Sequence, residues 1–68
     1  MKVRTIRGEV IQLDNLPFEA WLFYMLIKLQ YHYPSLRLEG VEVRTGKKVR
    51  VALQQLEFDW RTVNTLNP

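Results

Sequence analysis

Residues 41–53, VEVRTGKKVRVAL, alternate apolar and polar side chains on both sides of Thr45-Gly46-Lys47. A period of two is typical of a strand that buries one face. A glycine between two such runs supplies the positive φ that a tight turn between antiparallel strands needs. The segment therefore predicts a β-hairpin whose turn is centred on Gly46.

Shorter alternations flank this hairpin on both sides. Leu36 and Leu38 alternate with charged residues before it. After it, Gln54-Gln55 predicts a short turn. A final strand is then expected from three apolar residues at alternate positions, Leu56, Phe58 and Trp60. The polar tail at 64–68 is expected to be frayed.

The segment 3–13 is rich in β-branched side chains, and it predicts one strand. Its apolar residues change phase after Val10, so we expect either a bulge at Gly8 or a strand buried on both faces. A helix should follow, because Asp14-Asn15-Leu16-Pro17 combines a capping residue with a proline suited to a first turn. Pro34 disfavours the α conformation in the preceding residue, so the helix should end near Tyr33.

Together these elements predict an α+β fold in the order β-α-β-β-β, with one long helix packed on a small, mainly antiparallel sheet. The sheet is either open or curled toward a barrel. The 68 residues should form a single small domain, residues 1–68, with a limited core. Because the sequence contains no Cys, disulfides and Cys-based zinc sites are excluded, and self-association is the remaining means of stabilising so small a core.

The predicted helix is apolar on two sides. One stripe contains Phe18, Trp21, Leu22, Met25, Leu29 and Tyr33. The second stripe contains Ala20, Phe23, Tyr24, Ile27 and Tyr31. The frankly polar residues are Glu19, Lys28, Gln30 and His32. A single sheet covers one stripe, so we expect the first to face the sheet and the second to bind a partner. The predicted partner-binding residues are Phe23, Tyr24, Ile27 and Tyr31.

Two apolar faces on one helix favour a non-enzymatic protein-interaction module, such as a small regulator, inhibitor or adaptor. The module would form a homo-oligomer, most simply a dimer, or would dock on a larger protein. The other explanation of the second stripe is a set of strands that wraps around the helix and covers both sides.

Basic residues cluster at the hairpin, within a chain of net charge +3. The cluster consists of Arg44, Lys47, Lys48 and Arg50, with Arg37 on the strand before. Such a stripe can follow phosphates, so a small nucleic-acid-binding protein is the alternative function. The same residues would also suit a solvated strand edge whose charges discourage aggregation.

The chemistry of catalysis is not represented. His32 is the only histidine and Ser35 the only serine, and the glycines stand apart at 8, 40 and 46. These residues form neither a nucleophile elbow nor a phosphate-binding loop. We therefore expect no enzyme activity, no metal site, no cofactor and no small-molecule substrate.

The most apolar run, Ala20 to Ile27, is eight residues long, whereas a membrane span needs about 20. No apolar run follows the basic residues near the start, so no leader peptide is expected. With the absence of Cys, these observations predict a cytoplasmic protein without a membrane partner.

Overall fold

The computed structural model describes all residues from Met1 to Pro68. The strands are β1 (Lys2–Thr5), β2 (Val10–Leu13), β3 (Arg37–Glu42), β4 (Lys48–Ala52) and β5 (Leu56–Glu57). The helices are α1 (Ala20–His32) and α2 (Trp60–Leu66), and a 3-10 turn occupies Leu53–Gln55. All strand pairs are antiparallel, in the order β4-β3-β2-β1-β5, and the sheet is open. The predicted α+β class, with one long helix on an antiparallel sheet, is confirmed.

The predicted hairpin is confirmed as β3 and β4, and the Gln54-Gln55 turn as part of the 3-10 turn. Gly46 has a φ of 73°, the left-handed region that the tight connection requires. Gly40 has a different role. A Cβ atom at Gly40 would lie 2.6 Å from the carbonyl oxygen of Gln12, so this glycine allows β2 and β3 to approach each other.

The prediction of one strand over residues 3–13 is wrong. β1 and β2 are separate strands, which pair as a hairpin through the turn at 6–9. Gly8 has a φ of 88°, and the Thr5 hydroxyl accepts hydrogen bonds from the backbone N–H groups of Arg7 and Glu9. The change of apolar phase therefore marks a reversal of the chain, not a bulge.

The predicted helix start is also wrong, although the end at His32, before Pro34, agrees with the prediction. α1 begins at Ala20 without a side-chain cap. Asn15 has a φ of 57°, a left-handed conformation that a right-handed helix does not continue. Leu16 and Phe18 pack against the core, so the segment before α1 is a packed connection.

The predicted final strand stops early, because β5 has two residues and α2 begins at Trp60. Asp59 caps α2 by accepting a hydrogen bond of 2.9 Å from the backbone N–H of Arg61. Val63 is fully buried. Together with Trp60 and Leu66 it repeats at every third position, a spacing that suits a helix.

Asn67, in the polar tail, holds the end of the chain against β1. The Asn67 side chain donates to the carbonyl oxygen of Lys2 and accepts from the Lys2 N–H, both at 2.8 Å. The amide group of Asn67 thus satisfies the backbone N–H and carbonyl groups of Lys2, a residue of β1 with which β5 does not pair.

The core lies between one face of the sheet and α1. Its members are Met1, Val3, Ile11, Leu13, Leu22, Phe23, Leu26, Val51, Leu53, Leu56 and Val63. The opposite face of the sheet and the opposite side of α1 have no further layer of this chain above them. Neither helix is long and apolar enough to cross a membrane.

Candidate interaction surface

α1 has one covered side and one open side. Leu22, Phe23 and Leu26 are each 2% exposed and belong to the core. The open side consists of five exposed residues, Trp21, Tyr24, Met25, Lys28 and Tyr31. We call these five residues the outer helix face.

The outer helix face is apolar for a surface in contact with water. Trp21 is 61% exposed, Tyr24 63% and Tyr31 83%, and Met25 is 42% exposed. Lys28 carries its only charge. Exposed apolar patches of this kind mark interaction sites in folded proteins. Trp and Tyr suit such sites because each combines a large apolar ring with a polar group that tolerates water.

Local contacts position the ends of this face. At the start of α1, the indole Nε1 of Trp21 donates a hydrogen bond to the carboxylate of Glu19. At the end of α1, the His32 ring has its centroid 5.2 Å from that of Tyr31 and 6.4 Å from that of Tyr33. The outer helix face therefore carries aromatic side chains that are supported by neighbours within the chain.

The structure divides the predicted partner-binding stripe. Tyr24 and Tyr31 lie on the outer helix face, as expected. Phe23 is 2% exposed and Ile27 is half-buried against the core, so the assignment of these two residues to the open side is corrected.

Phe23 is buried because the segment near the end of the chain packs over it. The ring centroids of Trp60 and Phe58 lie 5.0 Å and 6.2 Å from that of Phe23, so these side chains cover it. Both belong to the segment that was predicted to be a strand. In turn, Trp21 and Met25, which were assigned to the sheet-facing stripe, are exposed.

Gln30 has a structural role that its polar character did not suggest. Its side-chain Nε2 donates to the carbonyl oxygens of Leu53, at 2.6 Å, and Leu56, at 2.8 Å. These bonds join α1 to the 3-10 turn and to β5. The signal was available in the spacing, since residue 30 follows the buried Leu22 and Leu26 at intervals of four.

A second surface is the open side of the sheet. The register aligns Lys2 with Gln12, Gln12 with Val41, and Val41 with Lys48, so all four side chains point to the same side. Alternation along the strands adds further residues to this side. Its cations are Lys2, Arg4, Arg37, Lys48 and Arg50, and we call these five residues the outer sheet face.

Two carboxylates, those of Glu39 and Glu57, lie on the same side as these five cations, which leaves three positive charges in excess. Arg50 and Glu39 form an ion pair of 3.2 Å, but their side chains are about two-thirds exposed, so the pair contributes little stability. The register places no aromatic residue on this side.

Arg44 and Lys47, the other predicted nucleic-acid contacts, lie in the exposed turn after β3. In this turn the Thr45 hydroxyl donates a hydrogen bond of 2.8 Å to the Glu42 carboxylate. That bond, followed by the charges of Arg44 and Lys47, lowers the pKa of Glu42 below its ordinary value. The structure thus separates the predicted basic cluster into a sheet-face group and a turn group.

His32, Ser35 and Asp14 are all exposed, and no three His, Asp or Glu side chains come together as metal ligands would. Comparison of the chain with protein families, with curated proteins and with solved structures finds no match in any of the three. The outer helix face and the outer sheet face are therefore the two candidate functional surfaces.

Proposed function

We propose that this protein is a non-enzymatic interaction module, a small regulator, inhibitor or adaptor, that self-associates through the outer helix face. The observation that carries the proposal is the exposure of Trp21, Tyr24 and Tyr31 on one side of α1, at 61%, 63% and 83%. None of the strands and helices of this fold covers these side chains.

The physical reason is the free energy of apolar surface in water. Removing apolar surface from water contributes about 25 cal/mol per Å², and a large aromatic side chain can bury about 150–250 Å². A second copy provides the same apolar surface about a two-fold axis, without the need for another gene product.

The expected dimer is weak. α1 has 13 residues, so its length is about 20 Å at a rise of about 1.5 Å per residue. One side of a helix of this length presents less area than the surface of about 800 Å² per partner that is usual in stable complexes. We therefore expect dimers that dissociate on dilution.

The test compares oligomeric state in matched variants. Tyr24→Glu with Tyr31→Glu should give a folded monomer, because charged side chains would be buried without partners. The control, Gln54→Glu with Asn64→Glu, makes the same change of charge at exposed positions outside the outer helix face and should remain dimeric. Light scattering after size-exclusion chromatography measures the mass, and circular dichroism reports folding.

A wild-type protein that is monomeric at every concentration would contradict the proposal. A folded Glu variant that stays dimeric would also contradict it. Should the Glu variant unfold, the milder Tyr24→Gln with Tyr31→Gln pair provides the same comparison without introducing charge.

A second candidate function is binding of nucleic acid, which the outer sheet face supports. The sheet order adds Lys2 and Arg4 to three of the predicted contacts, Arg37, Lys48 and Arg50. Since this side lacks aromatic residues for stacking on bases, its ligand would be a phosphate backbone, with little dependence on sequence.

Fluorescence anisotropy with duplex and single-stranded oligonucleotides, at low and near-physiological salt, tests this candidate. Arg37→Gln with Lys48→Gln should weaken binding and reduce its salt dependence. Arg7→Gln with Arg61→Gln removes the same charge at exposed positions outside the outer sheet face and the outer helix face, and it should have a smaller effect. Absence of binding at low salt, or equal losses in both variants, would reject it. For either function we propose a cytoplasmic location, which the absence of Cys supports.

A further inference from the structure

Four residues of the outer helix face are spaced symmetrically along α1, so that the intervals between them are the same when read from either end. Trp21, Tyr24, Lys28 and Tyr31 are separated by three, four and three residues. This is the spacing of the a and d positions of a coiled coil, at which two helices pack side by side. The midpoint of the pattern lies at residue 26.

We propose that two copies of this chain pair their α1 helices in antiparallel orientation through the outer helix face, with the two-fold axis at the level of residue 26 along each helix. This inference rests on the proposed self-association and adds the identity of the partner and its register. In this arrangement Trp21 packs against Tyr31 of the second copy, and Tyr24 packs against Lys28 of the second copy.

Lys28 distinguishes this orientation from its alternative. In a parallel, in-register pair every residue faces its own copy, so two Lys28 ammonium groups would meet inside an apolar contact. In the antiparallel pair, Lys28 faces the Tyr24 ring of the second copy, where a cation is attracted to the face of the aromatic ring. A lysine at a single a position is a known way to specify register, because wrong pairings leave its charge buried without a partner.

The remaining residues of the face fit the same arrangement. Met25 lies beside the two-fold axis and is 42% exposed, so it can pack flexibly near its own copy. None of the five residues carries a carboxylate, so within this face the aromatic ring is the attractive contact for Lys28.

Disulfide trapping tests the register, since the chain has no Cys of its own. Trp21→Cys and Tyr31→Cys proteins are mixed and oxidised at high concentration. The mixed disulfide should be the main product, and disulfides between identical copies should be lost, because identical positions would lie about 15 Å apart along the helices at a rise of about 1.5 Å per residue.

A second mixture, Tyr24→Cys with Lys28→Cys, retains Trp21 and Tyr31 and should also give the mixed disulfide. Identical-copy disulfides at Trp21→Cys or at Tyr31→Cys would establish the parallel orientation and overturn the register. Failure of both mixtures to form disulfides, with a dimeric wild-type protein, would also overturn it while self-association stands. A monomeric wild-type protein would instead reject the proposed function itself.

Discussion

The two sides of α1 have similar apolar content but different chemistry. The covered side carries Leu22, Phe23 and Leu26, which contain no polar atom beyond the backbone, whereas the open side carries Trp21 and the two tyrosines. A purely hydrocarbon side chain is stable in a permanent core, and a ring with a polar group is tolerated in water and in an interface. Apolar periodicity alone therefore does not separate core from interface, whereas the kind of apolar residue on each side does.

The largest difference is expected between two residues that are neighbours in the chain. Phe23→Ala should destabilise the fold by about 3–5 kcal/mol, because it leaves a cavity under Trp60. That loss is comparable with the whole stability expected for a domain of this size, about 3–10 kcal/mol. Tyr24→Ala should cost less, about 0.5–1.5 kcal/mol, because its exposed ring makes only an edge-on contact with Phe23, at a centroid distance of 5.5 Å. Urea unfolding followed by circular dichroism, at a concentration where the protein is monomeric, gives both values; equal losses would contradict the assignment of sides.

A polar pair gives the next largest difference. Gln30→Ala removes the hydrogen bonds to the carbonyl oxygens of Leu53 and Leu56 and should cost about 2 kcal/mol, since each bond contributes about 1 kcal/mol. Gln54→Ala, at an exposed position, is the control and should be close to neutral. Urea unfolding measures the stability of both variants. An unchanged free energy of unfolding for Gln30→Ala would mean that these bonds do not hold α1 to the sheet.

Lys28 tests the open side with a smaller effect. Lys28→Gln removes two symmetry-related cation–π contacts of about 0.5–1 kcal/mol each, so the dimer should dissociate about five- to thirtyfold more easily. Arg61→Gln on α2 removes the same charge elsewhere and should not change the dissociation constant. Sedimentation equilibrium measures both. Tighter dimers of the Lys28→Gln protein would indicate that two lysines face each other, as the parallel orientation requires.

The smallest effect lies in the turn after β3, which neither side of α1 contacts. The hydrogen bond from Thr45 holds the pKa of Glu42 below its ordinary value, so the ionised carboxylate is favoured in the folded state. The resulting stabilisation is present above the unfolded-state pKa and is lost as the pH falls through the folded-state pKa. Thr45→Val should raise the pKa of Glu42, as followed by NMR titration, and should leave the dimer unchanged. An unchanged pKa would show that the hydroxyl is not the main cause.

Local signals in the sequence predicted the parts of the fold that depend on local chemistry. The β3–β4 hairpin follows from alternation around Gly46, and the end of α1 follows from Pro34. Gly8 was ambiguous, because a bulge and a turn both accept a positive φ. At the end of the chain, the alternation that ends at Trp60 overlaps the three-residue spacing from Trp60 to Leu66, and Asp59 was the signal for the helix.

The residues of the outer helix face were predicted only in part, because the end of the chain was predicted to be a strand and is the helix α2. An open apolar side of α1 could be predicted, because its apolar residues outnumber what one sheet covers. The membership of that side could not be predicted, because Phe23 is buried by Trp60 and Phe58, and their positions follow from α2. Grouping of Lys2 and Arg4 with the hairpin cations likewise required the order of strands in the sheet.

The most direct test of the central claim is the fluorescence of Trp21 during dilution of the Trp60→Phe protein, in which Trp21 is the only tryptophan. Trp21 is 61% exposed in one chain and would be buried against a second copy. We expect blue-shifted emission at high concentration that moves to the red on dilution, along the same curve as the molecular mass. Emission typical of solvent-exposed tryptophan at every concentration would contradict burial of the outer helix face by a second copy.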